Sequence, residues 1–208
     1  MIGLEYVLRR SGPMAMAPSQ LGMFVKSDER QASANLEYHV QPLSLEAFGG
    51  GLDPWPAFTA SVCNLRPESR GTTLIRSARA EDHPAIRPNY LSAEEDRHVA
   101  ARSIAITRQI VAQPALSPYH PEEMRPGLQY ASEDELVEAA GHVGTTIFHP
   151  VGTAAMGSVV DARLRVQGVE RLRVVDASVM PTITSGNTNA PVMMIAEKGA
   201  ALVLADAR

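Results

Sequence analysis

Residues 172–191 read Leu172-Arg173-Val174-Val175-Asp176-Ala177-Ser178-Val179-Met180-Pro181-Thr182-Ile183-Thr184-Ser185-Gly186-Asn187-Thr188-Asn189-Ala190-Pro191, and their order decides the fold. An apolar pair runs into Asp176. A loop through Met180-Pro181 follows, then a polar cluster and a proline. This is the order strand, loop, polar turn, helix start. Pro191 suits the first helical turn, where a missing N–H costs nothing. Val192, Ile195, Ala196, Gly199 and Val203 then recur as one helical stripe. Gly186 and the two asparagines let the backbone turn tightly and present amides. The positive end of the helix faces whatever binds there, which favours an anion or a developing negative charge.

Just upstream, Phe148-His149-Pro150-Val151-Gly152-Thr153-Ala154-Ala155-Met156-Gly157 places a histidine in an apolar run, stiffened by the next proline. Short extended pieces are expected over 147–153, 158–161 and 172–176.

Working back, two serine-led motifs predict helices. Ser92-Ala93-Glu94-Glu95 reads as a capping box opening a helix over 93–112, with Val99, Ser103, Ile106 and Ile110 on one face and Pro114 as its stop. Ser132-Glu133-Asp134-Glu135 opens a shorter one, with Leu136, Val137 and Ala140 inward and an end at Gly141 or Gly144. Residues 114–131 carry four prolines and read as a long surface loop. The first third reads as extended, with strands over 22–27, 35–44, 58–65 and 72–76. Leu36, Tyr38 and Val40 alternate with Glu37 and His39, the period of a half-buried strand.

Composition narrows the function. The chain has 208 residues, 45% hydrophobic and 20% charged, an ordinary globular mixture. Nineteen basic against 23 acidic residues give a net charge of −4, with no basic stripe for nucleic acid. The single cysteine, Cys63, excludes an internal disulfide and any multi-cysteine metal site. His142 and His149 are not at a metal-ligand spacing, and no metal site is expected. Glu197 and Lys198 interrupt the longest apolar stretch, so no integral membrane segment is expected. The N-terminus has no clear signal peptide, and a cytoplasmic location is expected. No G-x-S-x-G elbow points to a hydrolase. Nor is there a G-x-G-x-x-G turn or a phosphate-binding G-x-x-x-x-G-K-[ST] loop.

Taken together, His149-Pro-x-Gly-Thr-x-x-Met-Gly157, the run from Leu172 to Pro181, then Gly186-Asn-x-Asn-Ala190 and a helix with Glu197-Lys198 resemble the C-terminal part of the glucose–methanol–choline (GMC) flavin oxidoreductases. Asn64-Leu65-Arg66-Pro67-Glu68-Ser69-Arg70-Gly71, Ile86-Arg87-Pro88-Asn89-Tyr90-Leu91 and Ile106-Thr107-Arg108 are similar to that family's substrate domain. The resemblance runs over nearly the whole chain, closest to the choline-dehydrogenase-like branch.

The resemblance implies an α+β fold. Residues 1–140 would be a substrate-binding domain, an antiparallel sheet backed by helices. Residues 141–208 would give the last strand and helix of a Rossmann-like FAD-binding domain whose remainder lies in a missing N-terminal portion, in cis or in trans. It also implies oxidation of a small-molecule alcohol, with a proton leaving the hydroxyl and a hydride passing to flavin N5. His149 matches the catalytic histidine, and imidazole titrates close to neutrality as a base must. Asn187 matches the second catalytic position, where an amide orients but cannot serve as a base. Asn189 and Ala190 would lie along the flavin pyrimidine edge, Asp176 and Ala177 near the ribityl-pyrophosphate. The alternative is a truncated, non-catalytic module or a partner of a separate FAD-binding chain. In either case Val174, Ile195, Leu202 and Val203 are expected to lack cover in the lone chain.

Overall fold

The computed structural model describes residues 2–17, 19–46 and 50–207. The chain divides into two compact units, Met1–Cys63 and Asn64–Arg208.

In the first unit, β1 (Leu21–Val25), β2 (Leu36–Gln41) and β3 (Thr59–Asn64) form a sheet in the order β1-β2-β3. β1 and β2 are antiparallel, with Leu21 opposite Val40 and Val25 opposite Leu36. β2 is central, and Leu36 and Tyr38 are each 1% exposed. The β1–β2 connection is held by Asn35, whose Oδ1 accepts from the Ser27 N–H at 2.8 Å and whose Nδ2 donates to Ser27 Oγ at 2.9 Å. Asp28 closes the same turn. The Arg30 guanidinium beside it holds its carboxyl well below the usual carboxylate range.

One segment of this unit departs from the extended reading. Ile2–Arg9 is a short helix, α1, whose Leu4, Val7 and Leu8 are exposed. At eight residues it is too short for a helical period to be told from an extended run.

In the second unit, β4 (Thr72–Leu74) pairs antiparallel with β5 (Ala85–Arg87). Three residues between prolines carry no alternation to read, so β5 is found only in the structure. The pairing explains Gly71: a Cβ there would lie 2.1 Å from the Arg87 carbonyl oxygen.

The helix expected over 93–112 is α2, Glu94–Val111, and it packs on α3, Glu133–Val143. Val99 and Ala101 of α2 and Leu136 and Ala139 of α3 are buried. Ser132 makes the full capping box with Glu135, as expected. Ser92 does not. The N-cap of α2 is Ala93, with no side-chain cap. The reason lies across the fold: Ser69 Oγ accepts from the N–H groups of Ser92 and Ala93, both at 3.1 Å. Asp96, 5% exposed, faces the other way and accepts from the N–H groups of Glu68 and Ser69, both at 2.8 Å. The 67–69 turn has displaced the local cap.

The proline-rich 114–131 segment is pinned by Arg108. Its guanidinium forks onto the Glu123 carboxylate at 2.8 Å through both Nε and Nη2, and Nη1 donates to the Tyr130 carbonyl at 2.8 Å. That pairing lowers the Glu123 pKa and raises that of Arg108.

The last helix, α4, spans Asn189–Asp206. Ile195 and Gly199 are buried, and Val192 and Leu202 are half-buried on the same face against Val160, Leu164, Val179 and Met180. Arg163 and Arg173 both bind the Asp206 carboxylate near its C-terminus. The apolar stripe therefore differs from the expected one. Ile195, Val174 and Leu202 are covered within the chain, while Ala196 and Val203 face out, with Met193, Met194 and Leu204 exposed beside them. The strand expected over 172–176 is reduced to one isolated bridge, Arg165 to Arg173, plus the Val174 N–H to Leu164 carbonyl bond at 3.2 Å. Residues 164–166 lie beside it, and the Val166 N–H donates to the Leu172 carbonyl at 3.0 Å, but the pairing stops after one bridge and builds no ladder. Of the described helices, none is long and apolar enough to cross a membrane.

Candidate functional site

His149 follows Phe148, whose backbone is left-handed at φ 63°, and precedes Pro150. The Phe148 N–H donates to Thr146 Oγ1 at 3.0 Å, which helps fix that bend. A bulky residue in this region is uncommon and needs its surroundings to hold it. The imidazole is half-buried.

Two backbone bonds stitch the histidine segment to the next motif. The Ala154 N–H donates to the Ser178 carbonyl at 3.0 Å, and the Met156 N–H to the Val179 carbonyl at 2.9 Å. Gly152, at φ 89°, lets the chain turn past the Met180 and Pro181 carbonyls. The two motifs, more than twenty residues apart in sequence, are thus one framework.

Asp176 caps a 3-10 turn over Ala177–Val179. Its Oδ1 accepts from the Ser178 N–H at 2.8 Å and from Ser178 Oγ at 2.5 Å. Ala177 opens that turn, so its N–H has no partner within it. The turn packs against α4.

Asn187 is exposed. No hydrogen bond within the described residues engages its amide or the His149 ring. Both side chains stay available to a ligand. Asn189 and Ala190 are exposed and begin α4, and Thr188 at the N-cap contributes no side-chain bond. The first intrahelical bond runs from the Val192 N–H to the Thr188 carbonyl at 3.0 Å. The N–H groups of Asn189 and Ala190 therefore have no acceptor within the helix. The Asn189 amide reaches only the Met193 sulfur, at 3.8 Å.

Sequence reasoning missed Thr184. Its Oγ1 is buried with no hydrogen-bond partner, three residues before Asn187. A threonine in a Thr/Ser/Asn run gives no sequence signal of that kind. Cys63 lies outside this framework. Burial, then the nearby Glu37 carboxylate, pushes its thiol up to about 11 and keeps it protonated and inert.

This ordered framework is shared with known proteins. The GMC oxidoreductase model matches residues 67–196. The chain belongs to the GMC oxidoreductase family. It is 39% identical to an alcohol dehydrogenase [acceptor] of Pseudomonas putida over 98% of its own length and 38% of that protein. It is 40% identical to an oxygen-dependent choline dehydrogenase of Proteus mirabilis over 95% of its length and 36% of that protein. The GMC chain thus spans under two-fifths of these curated relatives.

Among solved structures, pyridoxine 4-oxidase from Mesorbium loti superposes with a TM-score of 0.79 at 28% identity, over 88% of this chain and 37% of the other. An FAD-dependent oxidoreductase from Chaetomium thermophilum superposes at 0.69 with 28% identity, over 85% and 29%. The α+β architecture is the one these GMC-type oxidoreductases share over the matched length.

Proposed function

We propose that this chain forms the substrate-binding and catalytic portion of an FAD-dependent alcohol oxidoreductase. Residues 1–140 would serve the substrate and residues 141–208 the reaction. One observation carries the reading: the segment after His149 is bonded to the Ala177–Val179 turn, Asn187 precedes the helix that packs on that turn, and neither side chain is spent on a hydrogen bond among the described residues.

The residues present suit a flavin. The first N–H groups of α4, at Asn189 and Ala190, lack a side-chain cap and face solvent. Such a helix end stabilises the negative charge a reduced flavin carries. The Ala177 N–H and the free Asp176 Oδ2 would hold the ribityl and pyrophosphate side. Bound FAD would supply the acceptor for the hydride leaving the alcohol carbon.

The chain's own residues do the proton chemistry. A neutral His149 ring nitrogen accepts the hydroxyl proton as the alkoxide forms. The Asn187 amide donates to the same oxygen and orients it, without taking a proton. All proton transfer therefore falls on His149.

The test is spectroscopic. The purified 208-residue chain is mixed with FAD. A shifted flavin spectrum that bleaches on addition of an alcohol supports the reading. An unchanged free-flavin spectrum overturns it for the chain alone. It then favours the second reading, a module that works only when joined to a separate FAD-binding chain. The observation on that side is that none of the 208 residues form a G-x-G-x-x-G turn.

A further inference from the structure

Asn189 and Met193 lie one turn apart on one face of α4, and Asn189 Nδ2 donates to Met193 Sδ at 3.8 Å. We propose that Met193 is an oxidisable modification site: hydrogen peroxide converts its thioether to a sulfoxide, and the new oxygen captures the Asn189 side-chain amide.

The sulfur is within reach of solvent. Met193 is 62% exposed, whereas Met180, in the core cluster that α4 packs on, is 6% exposed. A peroxide in solution meets the first and not the second. Met14, Met16 and Met194 are exposed as well, but among the described residues only Met193 accepts a side-chain amide at its sulfur.

Oxidation changes what that contact does. A thioether sulfur is a soft, weak acceptor. It holds the Asn189 amide loosely, so a ligand oxygen at the start of α4 displaces it at little cost. In the reaction one oxygen atom passes from peroxide to sulfur. The O–O bond breaks, an S–O bond forms, the sulfur gives up two electrons and water leaves. The apolar side chain becomes a polar sulfoxide. Its oxygen, set off the 3.8 Å line between Nδ2 and Sδ, lies within hydrogen-bonding distance of the same amide. Asn189 is then no longer free to turn to a ligand. The change is reversible, because methionine sulfoxide reductases return the thioether.

That the excluded ligand is a flavin rests on the proposed function. The sulfoxide–amide contact does not, and the two are read separately. The 208-residue chain, labelled with ¹⁵N only at its five asparagines, is treated with hydrogen peroxide. Peptide mass spectra show which methionines gain an oxygen, and the side-chain amide signals report their hydrogen bonds. Asn189→Ser identifies the Asn189 signal by its loss. Met193 should gain an oxygen while Met180 does not, the Asn189 amide should shift downfield, and a methionine sulfoxide reductase should restore it. In Met193→Leu, checked by circular dichroism, Met194 still oxidises but the Asn189 amide should not respond. An unoxidised Met193 where Met14 and Met16 are oxidised, an unmoved Asn189 signal, or the same shift in Met193→Leu overturns the proposal. Reductase reversal in the unmodified chain decides the matter even if the variant fails to fold. FAD should bind roughly tenfold more weakly to the oxidised chain, the worth of about one hydrogen bond. A chain that binds no FAD before treatment fails the flavin reading, while the amide signal still decides the fate of Met193. Equal FAD affinity of the two forms with a shifted amide supports the captured contact and removes the Asn189 side chain from the flavin.

Discussion

Gly199 of α4 lies directly against Val175: a Cβ at position 199 would stand 2.3 Å from Val175 Cγ1. This contact seats the last helix on the segment that leads into Asp176 and the site framework. Gly199→Ala should therefore destabilise the chain by about 2 kcal/mol through overpacking, despite the better helix propensity of alanine. Thermal unfolding followed by circular dichroism would show a drop of roughly 4–8 °C. Val175→Ala in the same chain should recover most of it. If the single variant is as stable as the parent, the helix is not seated by this contact.

The two serine-led motifs give a paired comparison. Ser132→Ala removes a formed capping box and should cost about 1 kcal/mol. Ser92→Ala removes a hydroxyl that caps nothing and should stay within about 0.5 kcal/mol. Ser69→Ala, by contrast, should cost about as much as Ser132→Ala, because its oxygen accepts from two N–H groups at the start of α2. Urea midpoints of the three variants measure this directly.

Arg108 and Glu123 make stability depend on acid. The Glu123 carboxyl titrates below its ordinary 4.5 in the folded chain because Arg108 hydrogen-bonds its charged form. A lowered folded-state pKa means stability that is present above the unfolded value and lost as pH falls through the folded one. Glu123→Gln should cost about 2 kcal/mol near neutrality. The gap between the parent and the variant should close as pH falls below 4.5. A gap constant from neutral to acid pH would show that the charge is not what holds the 114–131 segment.

The two site residues should differ in kind. In flavin-loaded protein, His149→Ala should slow alcohol-driven bleaching by roughly 10²-fold or more, as loss of a general base does. Asn187→Ala should cost roughly tenfold, about one hydrogen bond to the reacting oxygen. Raising the pH should recover part of the His149→Ala loss, since more of the alcohol is then already deprotonated, and should leave Asn187→Ala unchanged. Stopped-flow absorbance at the flavin band measures both. Equal losses with equal pH dependence would remove the division of roles.

Met193, Met194 and Leu204 leave apolar surface on α4, each more than 60% exposed. Such a patch promotes association. Sedimentation velocity should show the chain self-associating with rising concentration, and Met194→Lys with Leu204→Lys should shift it toward monomer without lowering its thermal midpoint. A monodisperse parent chain would show that this face is too small to drive association.

Much of this was legible before any coordinates. Four of the five described strands and three of the four α-helices follow from period, capping residues and prolines, because those signals act within a few residues. The order from His149 to Pro191 likewise marked the candidate site, since backbone turns and a helix start are encoded by small and polar residues at fixed places. What failed, failed for want of partners. Ser92 heads a capping-box sequence, but Ser69 holds the Ser92 and Ala93 N–H groups and the helix caps one residue later, at Ala93. Residues 172–176 have a strand's composition, but the segment beside them, residues 164–166, pairs for a single bridge, too short for a ladder.

The sequence by itself determined the class of fold, the family and the residue types of the site, since these depend on local periodicity and on an ordered run of motifs. Only the tertiary structure decided which side chains remain free to act. It spent Asp176 Oδ1 on Ser178 and left the His149 and Asn187 side chains without a hydrogen bond among the described residues. It also turned Met193 rather than Ile195 outward. Each outcome depends on atoms brought together from distant positions, and a donor or an apolar face has no fixed use until packing supplies its partner.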